Sequence, residues 1–240
     1  MDPVSPSNLT LIALPCYNTP IMSSLSDTAT SRPGIFIALE GVDGSGKTTQ
    51  ARLLADWCRE RGRVVTLTRE PGGTPLGERL RAVILDPEIA CTARAELLMI
   101  LAARAQHVAE VIAPALAAGH VVITDRFSLS SFAYQGYGRG IPLEEIRAAD
   151  AVATAGCHPD LTLVIAIPFA VLQARIGARR DRFEGEGAEF LQRVITGYHA
   201  LSAGDTAIRL LDGTGSVETV QQAVRQAVGA CWETKGDRIT

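Results

Sequence analysis

From Gly34 onward, short runs of almost unbroken apolar residues alternate with longer stretches of helical period. The runs are residues 35–39, 64–67, 121–124, 161–167 and 208–211, and Val and Ile dominate them. Such a run is what a strand buried on both faces looks like. Between them, residues 50–61 place Leu53, Leu54, Trp57 and Cys58 on one side of a helix. Residues 93–118 have a long helical pattern that Pro114 should bend or restart, because proline has no N–H to give the preceding turn. Residues 143–155, 169–179, 188–202 and 216–232 complete the helical set. Strand then helix, repeated, predicts a parallel sheet covered on both faces, a three-layer α/β/α domain. No internal repeat or long linker interrupts it, so 34–240 reads as one domain.

Residues 1–33 differ. They are rich in Ser, Thr, Pro and Asn, with one short apolar patch at 9–14 that no Lys or Arg precedes. This composition predicts a disordered extension; a true start at Met22 and a targeting segment are the alternatives.

Composition narrows the function. The chain has 240 residues and is 47% hydrophobic, which suits one sizeable core. Its net charge of −3 provides no global field for nucleic acid. Arg greatly outnumbers Lys and recurs in loops, which points to local anion sites. Cys16, Cys58, Cys91, Cys157 and Cys231 are scattered without CxxC spacing, and the four His form no metal pattern. Reduced thiols in the cytoplasm are the simple expectation. No apolar run reaches membrane-spanning length.

The first run leads into GVDGSGKTTQ, residues 41–50. Strand, GxxxxGKT, then amphipathic helix is a phosphate-binding loop: the glycines allow a tight turn whose N–H groups face phosphate. Gly41, Val42, Asp43, Gly44, Ser45, Gly46, Lys47, Thr48 and Thr49 are its ATP-binding candidates, with Lys47 for the β- and γ-phosphates and Thr48 for Mg²⁺. A carboxylate partner for the metal should end another strand, and HVVITDRF supplies Asp125. Arg126 follows it where a hydrolytic motor would place a second acid. The Asp-Arg pair suggests organising phosphates on two substrates, although a strand-terminal ion pair would look the same. The guanine-reading NKxD cannot occur, because the two Asn residues, Asn8 and Asn18, both lie in the extension.

TREPGGTPLGERLR, AELLMILAARAQH, DRFSLSSFAYQGYGRG, HPDLTLVI and RRDRFEGEG follow in order after the phosphate loop. With it they closely resemble the thymidylate kinase family of the bacterial type, over residues 34–190. TREPGG with DRFxxSSxAYQG is specific to that family. The resemblance implies a P-loop NTPase-type fold with a five-stranded parallel sheet, and Mg²⁺-dependent transfer of the ATP γ-phosphoryl group to dTMP. It also implies a homodimer packed helix to helix, for which 93–118 could serve, although its apolar stripe could equally be plain core.

Roles follow from the same resemblance. Arg126 would touch the phosphates of donor and acceptor, and Asp125 would hold Mg²⁺ through water or orient Arg126. Arg81 would grip the dTMP phosphate. Arg69 either joins it or ties down the loop 70–73. Asp43 would accept from the sugar 3′-hydroxyl, and Tyr134 would sit beneath the sugar. Arg104 would donate to thymine O4, with Ser131 and Gln135 as further base contacts. A lid at about 175–187 would bring an arginine over the transferring phosphate, with Arg179 and Arg182 favoured. Gly44 stands where some relatives carry that arginine. Ile100 stands where the family usually has a Phe stacked on thymine, which leaves open a shifted base preference. A non-catalytic nucleotide-binding partner is the remaining reading; it would need Lys47, Asp125 or Arg126 broken, and all three are present.

Overall fold

The apolar runs become five strands, and their pairing order brings the chemistry-bearing loops together. The computed structural model describes residues 34–175 and 187–234, all within one compact unit. The predicted N-terminal extension and Arg179 and Arg182 of the predicted lid lie outside the described residues. The strands are β1 (Ile35–Glu40), β2 (Val65–Arg69), β3 (Val121–Asp125), β4 (Leu161–Ala166) and β5 (Ile208–Asp212). They form one parallel sheet in the order β2-β3-β1-β4-β5.

The helices are α1 (Lys47–Arg59), α2 (Pro75–Leu85), α3 (Ala93–His107), α4 (Ala113–Ala117), α5 (Ser128–Ser131), α6 (Leu143–Thr154), α7 (Phe169–Arg175), α8 (Ala188–Ser202) and α9 (Val217–Thr234). Alternation along β1 divides the core between the two faces. Ile35, Ile37 and Leu39 pack with Leu54 of α1 and Val220, Val224 and Val228 of α9. Phe36 and Ala38 pack with Val108, Ile112 and Ala115 on the other face. Trp57 and Trp232 stack at 5.5 Å and clamp α1 to α9.

One departure from the sequence reading has a local cause. Helix α2 was not among the predicted helices, yet its start is written in the chain. Thr74 caps it by accepting from the Gly77 N–H at 3.0 Å, Pro75 opens it, and Glu78 lies in its first turn. The predicted helix 93–118 divides as Pro114 required: α3 ends at His107, a wide π-type turn spans Val108–Ile112, and α4 restarts beside the proline. The span Ala93–Ala117 is apolar and long enough to cross a membrane by composition. Its Glu96, Arg104 and His107 are nonetheless buried and bonded inside the protein.

β1 lies between β3 and β4; the crossover that leaves β1 runs to the β2 side of the sheet and the one that leaves β3 runs to the β4 side. In an open parallel sheet, ligands bind where the strand order reverses, outside the carboxyl ends of the strands. Register sets Leu39 beside Asp125, which brings the loops after β1 and β3 into contact.

Candidate active site

The loop 41–46 turns because its glycines allow it. Gly41 has φ 134°, and a Cβ there would stand 2.5 Å from the Ile165 carbonyl oxygen. Gly46 has φ 99° and opens α1 without a side-chain cap, so the helix N-terminus keeps its N–H groups for an anion. Lys47 is buried, and its Nζ donates to Asp43 Oδ1 at 3.0 Å and to the Val42 carbonyl at 3.3 Å.

The end of β3 supplies the facing wall. Thr48 Oγ1 donates to Asp125 Oδ2, while Asp125 Oδ1 is buried with no partner among the described residues. One hydroxyl and one carboxylate, the latter with an unsatisfied oxygen, suit a hard divalent cation that takes its other oxygens from phosphate and water. Arg126 has φ 76°, a left-handed conformation that costs a non-glycine residue about 1 kcal/mol or more. Its N–H donates to the Leu39 carbonyl at 2.8 Å, which ties the strained turn to β1. The guanidinium donates to Asp43 Oδ1 (2.8 Å), Ser130 Oγ (3.0 Å), Tyr134 OH (3.1 Å) and Tyr198 OH (3.2 Å). Burial opposes ionisation of Asp43, but Arg126 and then Lys47 outweigh it and hold the carboxyl far below its ordinary value. Asp43 thus pairs with both cations, Lys47 and Arg126.

A cavity opens beside this cluster. Arg81 and Arg126 line it together with Ile100, Arg104, Ser131 and Gln135. Arg104 is 1% exposed. Its Nε donates to Glu70 Oε2 at 2.7 Å, and its Nη1 donates to Asp150 Oδ1 at 2.6 Å and to Ser131 Oγ at 3.1 Å. Its Nη2 has no hydrogen-bond partner among the described residues. Glu70 also meets His107 Nδ1 at 3.0 Å. Arg81 donates to the Pro71 carbonyl at 2.9 Å; its burial, then the nearby Arg69, lower its proton affinity.

The structure gathers Asp43, Arg81, Ile100, Arg104, Arg126, Ser131, Tyr134 and Gln135 around one space. Arg69 is placed elsewhere: it donates to Glu78 Oε2 at 3.0 Å, and Glu78 also accepts from the Gly73 N–H at 3.0 Å. These contacts tie the loop, and Arg69 does not line the cavity. Arg175, at the start of the predicted lid, donates to the Gly213 carbonyl at 2.9 Å and the Gly44 carbonyl at 3.4 Å, so it secures backbone. Neither Phe127 nor Phe132 lines the cavity beside Ile100. Phe127 lies against Phe36 and under Arg104, and Phe132 packs beside the cluster containing Leu97 and Leu101.

Glu40 escaped the sequence reading. It is fully buried, and its carboxyl accepts from the N–H of Phe127 (2.9 Å), the N–H of Ser130 (3.1 Å) and Tyr198 OH (3.0 Å). Burial pushes its proton affinity up, against the bonds and the charge of Arg126 that favour the anion. Its signal was an acidic residue ending a buried strand; Tyr198, on α8, had none.

Comparison with known proteins agrees with this geometry. The family model described as "Thymidylate kinase" matches residues 39–224. Thymidylate kinase of Neisseria gonorrhoeae (strain NCCP11945) is 44% identical over 196 residues, covering 80% of this chain and 95% of that protein. That of Pseudomonas putida (strain GB-1) is 47% identical over 195 residues, covering 80% and 93%. Among solved structures, the crystal structure of thymidylate kinase from Ehrlichia chaffeensis superposes with a TM-score of 0.68 at 32% identity, covering 82% of this chain and 98% of that one. Sequence, fold and the arrangement of the phosphate loop agree: this chain belongs to the thymidylate kinase family.

Proposed function

We propose that this chain transfers the γ-phosphoryl group of ATP to dTMP, giving dTDP and ADP. The observation that carries the reading is the cavity itself, lined by the cations Arg81 and Arg126, the latter bonded to Asp43 of the phosphate loop, and by the polar groups of Arg104, Ser131 and Gln135. ATP phosphates would lie on the loop N–H groups, Lys47 and the start of α1. Thr48 and Asp125 would hold Mg²⁺, which when bound offsets phosphate charge and orients the γ-phosphate. Arg81 and Arg126 would hold the dTMP phosphate in line with it. Gly44 offers no side chain, so a lid arginine, Arg179 or Arg182, would close over the transferring group.

At the base end, Arg104 Nη2 would donate to thymine O4. Gln135 Nε2 already donates to Glu96 Oε1 at 2.8 Å, so its carbonyl oxygen is free to accept from thymine N3–H. Cytosine would set its amino group against Arg104 and its N3 lone pair against Gln135, two mismatches. Tyr134 and Asp43 would face the sugar, consistent with the Tyr134 OH donating to Asp43 Oδ2 at 3.3 Å.

A panel of dTMP, dUMP, dCMP and dGMP with ATP, followed by coupled ADP release, tests the reading. Highest kcat/KM on dTMP is expected. A preference for dCMP would overturn the dTMP assignment, and no turnover on any of them would favour a non-catalytic binding role.

Ile100 covers the base with aliphatic surface only, and Tyr134 is the one aromatic lining the cavity among the described residues. Aromatic contact beyond area is worth about 0.5–1.5 kcal/mol. Ile100→Phe is therefore expected to tighten dTMP binding by about 2–12-fold, measured by calorimetry. Weaker binding would show that this pocket is shaped around Ile100 and lacks no stacking partner.

We also propose that the chain works in the cytoplasm as a homodimer. Leu98 on α3 and Val152 on α6 are 62% and 82% exposed on helices that pack together, apolar surface that a second copy would cover.

A further inference from the structure

Glu96 lies in the first turn of α3 and is 0% exposed. A buried carboxylate costs several kcal/mol unless it is paired and hydrogen-bonded. Here Arg139 Nη2 meets Oε2 at 3.0 Å and Arg139 Nε meets Oε1 at 3.3 Å. Gln135 Nε2 donates to Oε1 at 2.8 Å. Helical spacing sets Glu96, Ile100 and Arg104 along one stripe of α3. Ile100 and Arg104 line the cavity; Glu96 does not, but it touches Gln135, which does.

We infer that Glu96 is a positioning residue that decides which pyrimidines this site accepts, by fixing the direction of the Gln135 amide. The inference rests on the reading that the base lies against Arg104 and Gln135.

A primary amide has a donating end and an accepting end. A carboxylate paired with Arg139 only accepts. If Gln135 were turned over, its carbonyl oxygen would face Glu96 Oε1 at about 2.8 Å, two acceptors in contact. The amide is therefore held with nitrogen toward Glu96 and oxygen toward the cavity. In that direction it reads N3–H, which thymine and uracil carry and cytosine lacks. Without Glu96 the amide could turn, present N–H and serve the cytosine N3 lone pair. Glu96 touches no substrate atom; it sets the polarity of the residue that does.

The test is the ratio of kcat/KM for dTMP to that for dCMP. In Glu96→Gln the new amide can donate, so Gln135 is free to rotate. The ratio is expected to fall about 10–100-fold, through loss on dTMP and gain on dCMP. A purely structural role would lower both substrates together and leave the ratio unchanged, which would overturn the inference. Glu96→Asp keeps the charge beside Arg139 but withdraws it from Gln135 by one methylene. It should narrow the ratio in the same direction, and an unchanged ratio in this variant also counts against the inference.

Gln135→Leu separates the two levels of the argument. If it leaves the ratio unchanged, the base-contact reading itself fails. If it narrows the ratio while Glu96→Gln and Glu96→Asp do not, the role of Glu96 alone fails. Adding Glu96→Gln to Gln135→Leu should produce no further change in ratio; an additional narrowing would mean that Glu96 acts by another route.

Discussion

Replacing Arg126 with alanine is expected to lower kcat by about 10²–10³-fold, the usual cost of removing one fixed donor that stabilises transition-state charge. The guanidinium is held on several sides, by Asp43, Ser130, Tyr134 and Tyr198. It is therefore aimed before substrate arrives and need not reorganise during the reaction. Lysine would keep the charge but lose the fork that reaches Asp43 and Tyr134 through one nitrogen and Ser130 and Tyr198 through the other. Glycine at this position separates chemistry from folding. The backbone sits at φ 76°, where alanine is strained and glycine is not. Arg126→Gly should match Arg126→Ala in lost kcat yet exceed it in unfolding free energy by about 1 kcal/mol, measured in urea. A kcat near that of the parent in either variant would remove Arg126 from the proposed transfer step.

Arg104→Met should cost about 3–5 kcal/mol of stability, since it breaks a buried ion pair and strands its partners. Glu70 and Asp150 both meet this guanidinium inside the protein, with side chains 2% and 8% exposed. Their situations then differ. Glu70 retains His107 at 3.0 Å, whereas Asp150 loses the guanidinium that meets it at 2.6 Å. Asp150→Asn added to Arg104→Met should therefore recover more stability than Glu70→Gln added to it. The readout is the urea midpoint at constant slope. Equal recovery would mean that His107 does not compensate Glu70. A loss below about 1 kcal/mol would show that water or side-chain rearrangement reaches the vacated site.

Much of the fold was legible in the chain because buried parallel strands and amphipathic helices differ in period. Runs such as 35–39 and 161–167 carry apolar residues at consecutive positions, since both faces of β1 and β4 are covered. Pro114 announced the break after α3 through its missing N–H. Helix α2 was passed over because its signal is a cap, Thr74 followed by Pro75, with few buried positions behind it.

The candidate site divided along the same line. Lys47, Thr48 and Asp125 stood out because a tight glycine turn into a helix and a strand end mark them locally, whereas the roles expected of Asp43 and Arg126 came from the family resemblance. The residues around the cavity were legible only through that resemblance, and the pairings that hold them in place were not. Arg69 pairs with Glu78 across a loop, Glu40 receives Ser130 and Tyr198, and Glu96 meets Gln135 and Arg139. By itself the sequence marked a loop of phosphate-binding pattern after the first strand and determined that the chain folds as a layered parallel sheet, because backbone conformation and local burial dictate both. Only the tertiary structure decided which way each buried amide and guanidinium points, because a hydrogen bond takes its direction from its partner, and here the partners come from other elements.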